Sequence, residues 1–291
     1  HWGDTLKYRR VHQKQVSGMA LIAVLWIVAA LGIIVTGLVQ AVRSETRLVS
    51  VAREAVVAEA LGDAAIHLVL QEMASNNEKI KRLVTTSVVF QGQSIAVQVM
   101  PLNGLIDINQ APATLLASLF SVAGGLSPGD ATSLAQAVVE TRERKDNLGQ
   151  PEGFDANEDL LRVPGLGYDL YANINSLVTA DQPGSGKVNP MAAPEGVLQV
   201  LAGGDAQRAA GIAANRDSGQ TGIDTATTLA SIYVDDAGTD RFEVKARVPL
   251  PSGASIFVAR SVDMGDGDAD GLPWRTYRTE NRFMPANGKT N

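Results

Sequence analysis

The sequence predicts an α+β protein in which a long N-terminal helix packs on an antiparallel β-sheet and a large α-helical insert separates the strands. Residues 19–42 form an apolar run with only two polar side chains, and strong helix formers without proline continue to about residue 78. Residues 83–100 and 241–264 are β-branched and partly alternating, which indicates strands joined by tight turns, and a third closing strand is expected over residues 273–279. Between them, residues 104–237 are rich in Ala, Leu and Gly and contain several helix starts.

The apolar run is long enough to cross a membrane as a helix, which takes about 20 apolar residues. Lys7, Arg9, Arg10 and Lys14 precede it, which predicts a cytoplasmic N-terminus. A cleaved secretory signal would have a shorter apolar core followed by a small-x-small cleavage site, and the sequence shows neither. A plain signal anchor fits the hydropathy equally well. We therefore expect one membrane pass, with the C-terminal part on the far side.

Beyond the membrane run, the pattern predicts that the same helix becomes amphipathic. Apolar residues recur at helical spacing over residues 49–73, and the Ser-Asn-Asn sequence at residues 75–77 indicates the end of the helix. We expect one face of this helix to contact partner helices. The predicted partner face consists of Val49, Val56, Ile66 and Val69.

Gly18 stands at the boundary between the basic leader and the apolar run and is followed by Met-Ala-Leu-Ile. Neither a secretory signal nor a signal anchor explains a glycine at this place. The junction resembles that of the type IV prepilins, in which a dedicated peptidase cuts after the glycine on the cytoplasmic face. The resemblance implies that the apolar helix stays on the mature protein. Met19 would then be its first residue, and members of the class usually carry this amine methylated.

Ala23 departs from most of that class, which carry Glu at the fifth mature position. A carboxylate buried among apolar helices is costly unless a cation meets it. In these fibres the cation is thought to be the terminal amine of the neighbouring subunit, so a subunit without the Glu would have no neighbour above it.

Residues 107–119 and 187–201, DINQAPATLLASL and KVNPMAAPEGVLQVL, also look like one motif used twice. Together these features resemble the K-type minor pseudopilin of bacterial type II secretion.

The resemblance implies a type IV pilin-like fold and a non-enzymatic role in the inner membrane, with a periplasmic C-terminal domain. The subunit would cap the tip of the type II secretion pseudopilus and initiate its assembly for export of folded proteins across the outer membrane. The implied partners are I-like and J-like minor pseudopilins of the tip complex, other pseudopilins, the prepilin peptidase, the inner-membrane assembly platform and inner-membrane lipid. The implied segments are a leader (1–18), a transmembrane part (19–42), the periplasmic half of the helix with the first strands (43–103), a helix-hairpin-helix or SAM-like insert (104–237) and closing strands with a tail (238–291).

Residues 160–174 contain the turn Val-Pro-Gly-Leu-Gly between two helical stretches, which resembles the helix-hairpin-helix motif. In DNA-binding versions the glycine-rich turn lets backbone N–H groups meet a phosphate. The alternative function is therefore a membrane-anchored, DNA-binding component of a DNA-uptake pilus. Residues 104–237 contain seven Lys and Arg against seventeen Asp and Glu, a net charge of −10, which opposes contacts with nucleic-acid phosphates. The alternative interpretation is that the glycine-rich turn only forms a corner between two helices.

An aspartate-rich segment near the C-terminus matches half of a calcium-binding loop. Asp266, Asp268 and Asp270, followed by glycine, reproduce the opening D-x-D-x-D-G, whose oxygen spacing suits a hard cation. Asp263 lies just before them. The twelfth position of the full motif is a bidentate Glu, and here it is Tyr277. The alternative is a solvated acidic hairpin tip, in which Asp and Gly serve the turn geometry.

Little in the composition indicates catalysis. The chain has no Cys, which excludes disulfides, thiol catalysis and thiolate metal sites. No Ser/His/Asp arrangement has a local signature, and the acidic cluster over residues 143–159 has no visible nucleophile or orienting partner. We therefore expect no enzymatic activity. The remaining enzyme hypothesis is a cleaved, exported protein whose mature chain starts beyond Gln40.

Overall fold

The computed structural model describes residues 52–76 and 79–286. The predicted membrane run lies outside these ranges. Within them, the structure contains no helix long and apolar enough to span a bilayer. Contacts divide the chain into two units, residues 1–56 and 57–291. The described residues of the first unit are helical, and the second unit contains the sheet and the insert.

Helix α1, described over residues 52–75, lies against the sheet in the second unit. Gly62 marks the close approach, because a Cβ there would lie 2.6 Å from Val258 Cγ2 and 3.3 Å from Val248 Cγ2. On the flank of the helix, the Asp63 carboxylate lies 2.7 Å from Arg260 Nη2. The buried apolar residues recur every three or four positions, as one helix face requires. They are Ala58, Ala65, Ile66, Val69 and Leu70.

The main sheet has five antiparallel strands in the order β1-β2-β5-β6-β7. The strands are β1 (Val84–Phe90), β2 (Gln93–Pro101), β3 (Ile106–Asp107), β4 (Val178–Thr179), β5 (Arg241–Pro249), β6 (Ser255–Asp263) and β7 (Arg275–Met284), of which β3 and β4 belong to the insert. Gln91 and Gly92 have φ of 50° and 78°, which suits a two-residue hairpin turn between β1 and β2.

The predicted antiparallel strands are confirmed, and one of them is longer than predicted. The sequence indicated a third closing strand over residues 273–279, whereas β7 continues to Met284. Its second half, residues 280–284, contains one Glu and one Arg and lies mostly exposed at the edge of the sheet. An edge strand without a buried face lacks the alternating apolar pattern that would have marked its length.

The insert lies between β2 and β5 and has its own apolar core, centred on Leu115, Leu116, Leu119 and Phe120. Its α-helices are α2 (Ala113–Val122), α3 (Pro128–Glu143), α4 (Tyr168–Ile174), α5 (Glu195–Leu201) and α6 (Ala206–Asp217). Short 3₁₀ helices are found at Leu102–Gly104, Asn157–Arg162, Asn175–Leu177 and Ser231–Tyr233. The stretch before the glycine-rich turn is thus a 3₁₀ helix, which is too short to form the first helix of a regular helix-hairpin-helix.

The two halves of the insert follow one plan. In the first half, Asn109 Nδ2 donates to Phe154 O at 2.9 Å, and in the second half Asn189 Nδ2 donates to Lys81 O at 2.8 Å. Each asparagine therefore fixes a loop to a segment distant in sequence. A proline then precedes α2 in the first half and α5 in the second. Proline suits this place because the first N–H groups of a helix have no partner within it.

An arginine closes each half in the same way. Arg142, near the end of α3, donates from Nη1 to Ala111 O at 2.8 Å. Arg216, near the end of α6, donates from Nη1 to Ala193 O. Each half also ends in parallel pairing, between β3 and β4 in the first and through an isolated bridge in the second. The motif that the sequence shows twice is therefore a structural repeat.

We predict that Gly62→Ala destabilises the protein, although Ala is favoured over Gly in a helix by about 1 kcal/mol. The added methyl group would overlap the Val258 side chain, and overpacking of this kind costs roughly 1–3 kcal/mol. Urea unfolding of the variant and the wild type measures the difference. Val258→Ala removes the overlapping methyls, so the double variant should be more stable than the sum of the two single changes. A Gly62→Ala protein more stable than wild type would contradict the close packing.

Candidate partner-binding site

Helix α1 carries a second apolar row beside the face that packs on the sheet. Val57, Leu61, Ala64 and Leu68 recur at intervals of four, three and four residues, which places them in one row. Val57 is 51% and Leu68 is 48% exposed, while Leu61 and Ala64 are half-buried. These four residues are called the helix stripe below. A row of this spacing fits the apolar row of a second helix.

The predicted partner face needs correction. Ile66 and Val69 are buried against the sheet of their own chain, so neither is available to a partner. Val56 is 65% exposed, and Val49 lies outside the described residues. The apolar spacing showed that the helix has faces to bury, but spacing alone does not show which neighbour covers which face.

Gly18, Met19 and Ala23, the residues of the predicted processing junction, lie outside the described residues. The prepilin-like junction and the membrane pass therefore stay predictions. Their support is the sequence itself, which places a glycine between the basic leader and the apolar run.

The aspartates of the predicted calcium loop have separate partners. Asp263 and Asp266 each pair with an arginine, at 3.2 Å and 3.6 Å. Asp268 Oδ1 accepts from the next backbone N–H at 2.7 Å, and Asp270 is exposed. Across residues 52–76 and 79–286, no three Asp, Glu, His or Cys side chains are grouped to hold a metal ion. Calcium binding stays a prediction that would require these carboxylates to leave their present partners.

The insert and the sheet are joined around Asp181, which follows β4. Its carboxylate lies 3.1 Å from Arg278 Nη2 on β7, and its carbonyl accepts from Arg241 Nη1 on β5. Arg241 also donates from Nε to Asp263 and lies 5.6 Å above the Tyr277 ring. Burial raises the pKa of Asp181, and the two arginines oppose that rise. Sequence reasoning missed this cluster because its members come from β4, β5, β6 and β7.

Asp107, on β3, is a carboxylate that is only 3% exposed. Its Oδ1 accepts from the Asn109 backbone N–H at 2.8 Å, which shapes the loop before α2. Its Oδ2 is buried and has no hydrogen-bond partner among the described residues. Burial raises the pKa of Asp107 to about 6, although the backbone donors and Arg142 favour the charged form. The sequence gives no sign of this burial, since an aspartate before Asn and Pro reads as an ordinary turn residue.

The glycine-rich turn at residues 164–167 has little in common with a phosphate site. Arg162, the basic residue nearest to it in sequence, lies 3.5 Å from the Asp159 carboxylate. Asp169 occupies the first turn of α4, where a negative charge opposes an anion. Gly165 has a φ of 89°, so the glycine serves the corner between the 3₁₀ helix and α4.

Comparison with known proteins gives a distant structural likeness. No protein-family model matches the chain, and no curated protein matches it. Among solved structures, the chain is similar to a chain in the crystal structure of the GspK-GspI-GspJ complex from the enterotoxigenic Escherichia coli type 2 secretion system. The identity is 12% and the TM-score is 0.48, and the match covers 82% of this chain and 98% of that one.

We predict that Asp107→Asn changes how stability depends on pH. Because the folded pKa of Asp107 is raised, folding favours its protonated form, and this contribution is present below pH 4 and is lost as the pH rises through about 6. The asparagine does not titrate and keeps an acceptor for the Asn109 N–H. Between pH 4.5 and 7.5, the wild type should therefore lose about 2 kcal/mol of stability relative to the variant. Urea unfolding of both proteins at the two pH values tests this, and a difference that does not change with pH would contradict it.

Proposed function

We propose that this chain is a K-type minor pseudopilin that caps the tip of a type II secretion pseudopilus and initiates its assembly. The observation that carries the proposal is the junction Gly18-Met19 with Ala23 in place of the usual Glu. The glycine supports processing by a prepilin peptidase. The alanine supports a terminal position in a fibre, since a buried carboxylate is tolerated only where a neighbouring cation meets it.

In this proposal the apolar helix of residues 19–42 rests in the inner membrane and then passes into a bundle of pilin helices. Both surroundings are apolar, so the transfer changes little hydrophobic energy and specific packing decides it. Without a carboxylate at Ala23, the chain needs no amine from a subunit above. The insert between β2 and β5 adds bulk that would obstruct stacking on top. Both features support a cap rather than an elongating subunit.

The helix stripe is the proposed contact with the I-like and J-like minor pseudopilins. Leu68 and Val57 are about half exposed in this chain, so covering them with a partner helix would remove apolar surface from water. In this proposal the stripe belongs to the continuation of the predicted membrane helix. A contact there would join the periplasmic part of the helix to the bundle formed by its membrane part.

The first test is the N-terminal residue of the mature protein, obtained after expression with a prepilin peptidase. We expect the chain to start at Met19, since the peptidase of this class cuts after the glycine. Gly18→Leu should abolish the cut while leaving membrane insertion intact. A mature start beyond Gln40 would instead mean a secreted protein and would contradict the proposal.

The second test is assembly of residues 45–291 with the soluble domains of the I-like and J-like minor pseudopilins, measured by size-exclusion chromatography with light scattering. We expect a one-to-one-to-one complex. Leu68→Glu should weaken it by roughly tenfold or more, because a charge in an apolar helix contact costs at least about 1.4 kcal/mol. Assembly that depends on added calcium would implicate Asp266, Asp268 and Asp270.

The matched control for Leu68→Glu is Leu148→Glu, which changes a leucine that is 85% exposed on the insert. The control should assemble like the wild type. If it fails to the same extent, the helix stripe is not the specific contact. If the fragment stays monomeric beside both partners, the tip assignment itself is wrong.

A further inference from the structure

Strand β1 is an edge strand of the sheet, and most of its residues are exposed to solvent. It pairs with β2 on one side, and no strand within residues 52–76 or 79–286 pairs with its other side. Five of its seven residues are exposed, with Val89 at 72%. Alternate residues of β2 are buried, whereas no residue of β1 is fully buried.

The outward backbone groups of β1 follow from the register. In a two-residue hairpin, Phe90 and Gln93 flank the turn as a hydrogen-bonded pair, and hydrogen-bonded pairs then alternate along the strands. The N–H and C=O groups of Thr85, Ser87 and Val89 therefore point away from β2. No backbone group within residues 52–76 or 79–286 bonds to them from the open side. They form a short ladder of unused donors and acceptors.

The opposite edge of the sheet is protected, and β1 is not. Strand β7 carries four charged side chains, Arg275, Arg278, Glu280 and Arg282, and its pairing with β6 contains a register shift. Charges and irregular pairing are the usual means of keeping an edge strand from joining another sheet. Strand β1, VTTSVVF, has no charge, no proline and no register shift.

We propose that β1 binds an extended, uncharged segment of another protein, rich in β-branched residues, as a sixth strand of the sheet. Backbone bonds to Thr85, Ser87 and Val89 would hold the segment. The exposed Val and Thr side chains of β1 favour β-branched neighbours across the strands. Strand β1 has no charged side chain that could pair with a charge on the bound segment. The edge therefore favours an uncharged segment.

A second copy of this chain is a poorer occupant. Antiparallel pairing of two β1 strands would follow a twofold axis at Ser87, and this axis would reverse the direction of α1, which lies along the sheet face. Two chains anchored in one membrane cannot be related in this way. This step, unlike the assignment of the binding edge, rests on the proposed function.

The test uses the full chain in detergent micelles and an uncharged fluorescent peptide of alternating Val and Thr residues, about as long as β1. We expect a saturable rise in fluorescence anisotropy. Ser87→Pro removes one outward N–H and leaves the β1–β2 bonds in place, so binding should weaken by about tenfold. The matched control Ser87→Thr keeps the N–H and should bind like the wild type.

A second measurement leaves the protein unchanged. The same peptide with N-methyl groups at alternate residues cannot donate along one edge, and it should bind about tenfold more weakly to the wild type. Absence of binding by the wild type, or equal binding by Ser87→Pro and by the methylated peptide, would overturn the proposal. A disulfide-linked dimer of Ser87→Cys, in a chain that otherwise has no Cys, would show a second copy at the edge and would also overturn it. None of these results depends on the minor pseudopilins, so the tip assignment is tested separately.

Discussion

Helix α1 has apolar residues on two faces, and the sheet of its own chain can cover only one of them. The covered face contains Gly62, where the helix backbone comes closest to Val258 on β6. Because this approach sets how the helix is rotated about its axis, it also determines that Leu68 and Val57 face outward. The packing of α1 on the sheet therefore determines which apolar residues of α1 stay exposed as the helix stripe, and the proposed partner contact would depend on this packing.

The insert is largely independent of that packing. Each half has a loop fixed by an asparagine, a helix preceded by proline, and an arginine that returns to the carbonyl before the proline. Most of these contacts lie within the insert, so the sheet can carry a large helical segment between β2 and β5 without a change in its strand order. The exception is Asn189, which donates to Lys81 O in the segment before β1. The cluster around Asp181 then restrains the insert against β5 and β7.

Local pattern was enough to predict much of this fold from sequence. The hairpin of β1 and β2 follows from β-branched residues around Gln91 and Gly92, and the starts of α2 and α5 follow from proline. What the sequence did not predict depends on contacts between distant segments. Burial of Asp107 and the arrangement around Arg241 arise only when strands far apart in sequence meet, and the burial of Ile66 and Val69 depends on which side of α1 the sheet covers.

The two exposed features of the second unit differ in what they would recognise. The helix stripe offers side chains and requires a partner with a matching apolar row, so it can be specific. The β1 edge offers mainly backbone groups of Thr85, Ser87 and Val89, which any uncharged extended segment can meet. The helix stripe is therefore better suited to a stable and specific assembly. The β1 edge is better suited to a weaker and less specific contact. Since Val89 and Leu68 lie on different elements, a substitution at either one can separate the two kinds of binding.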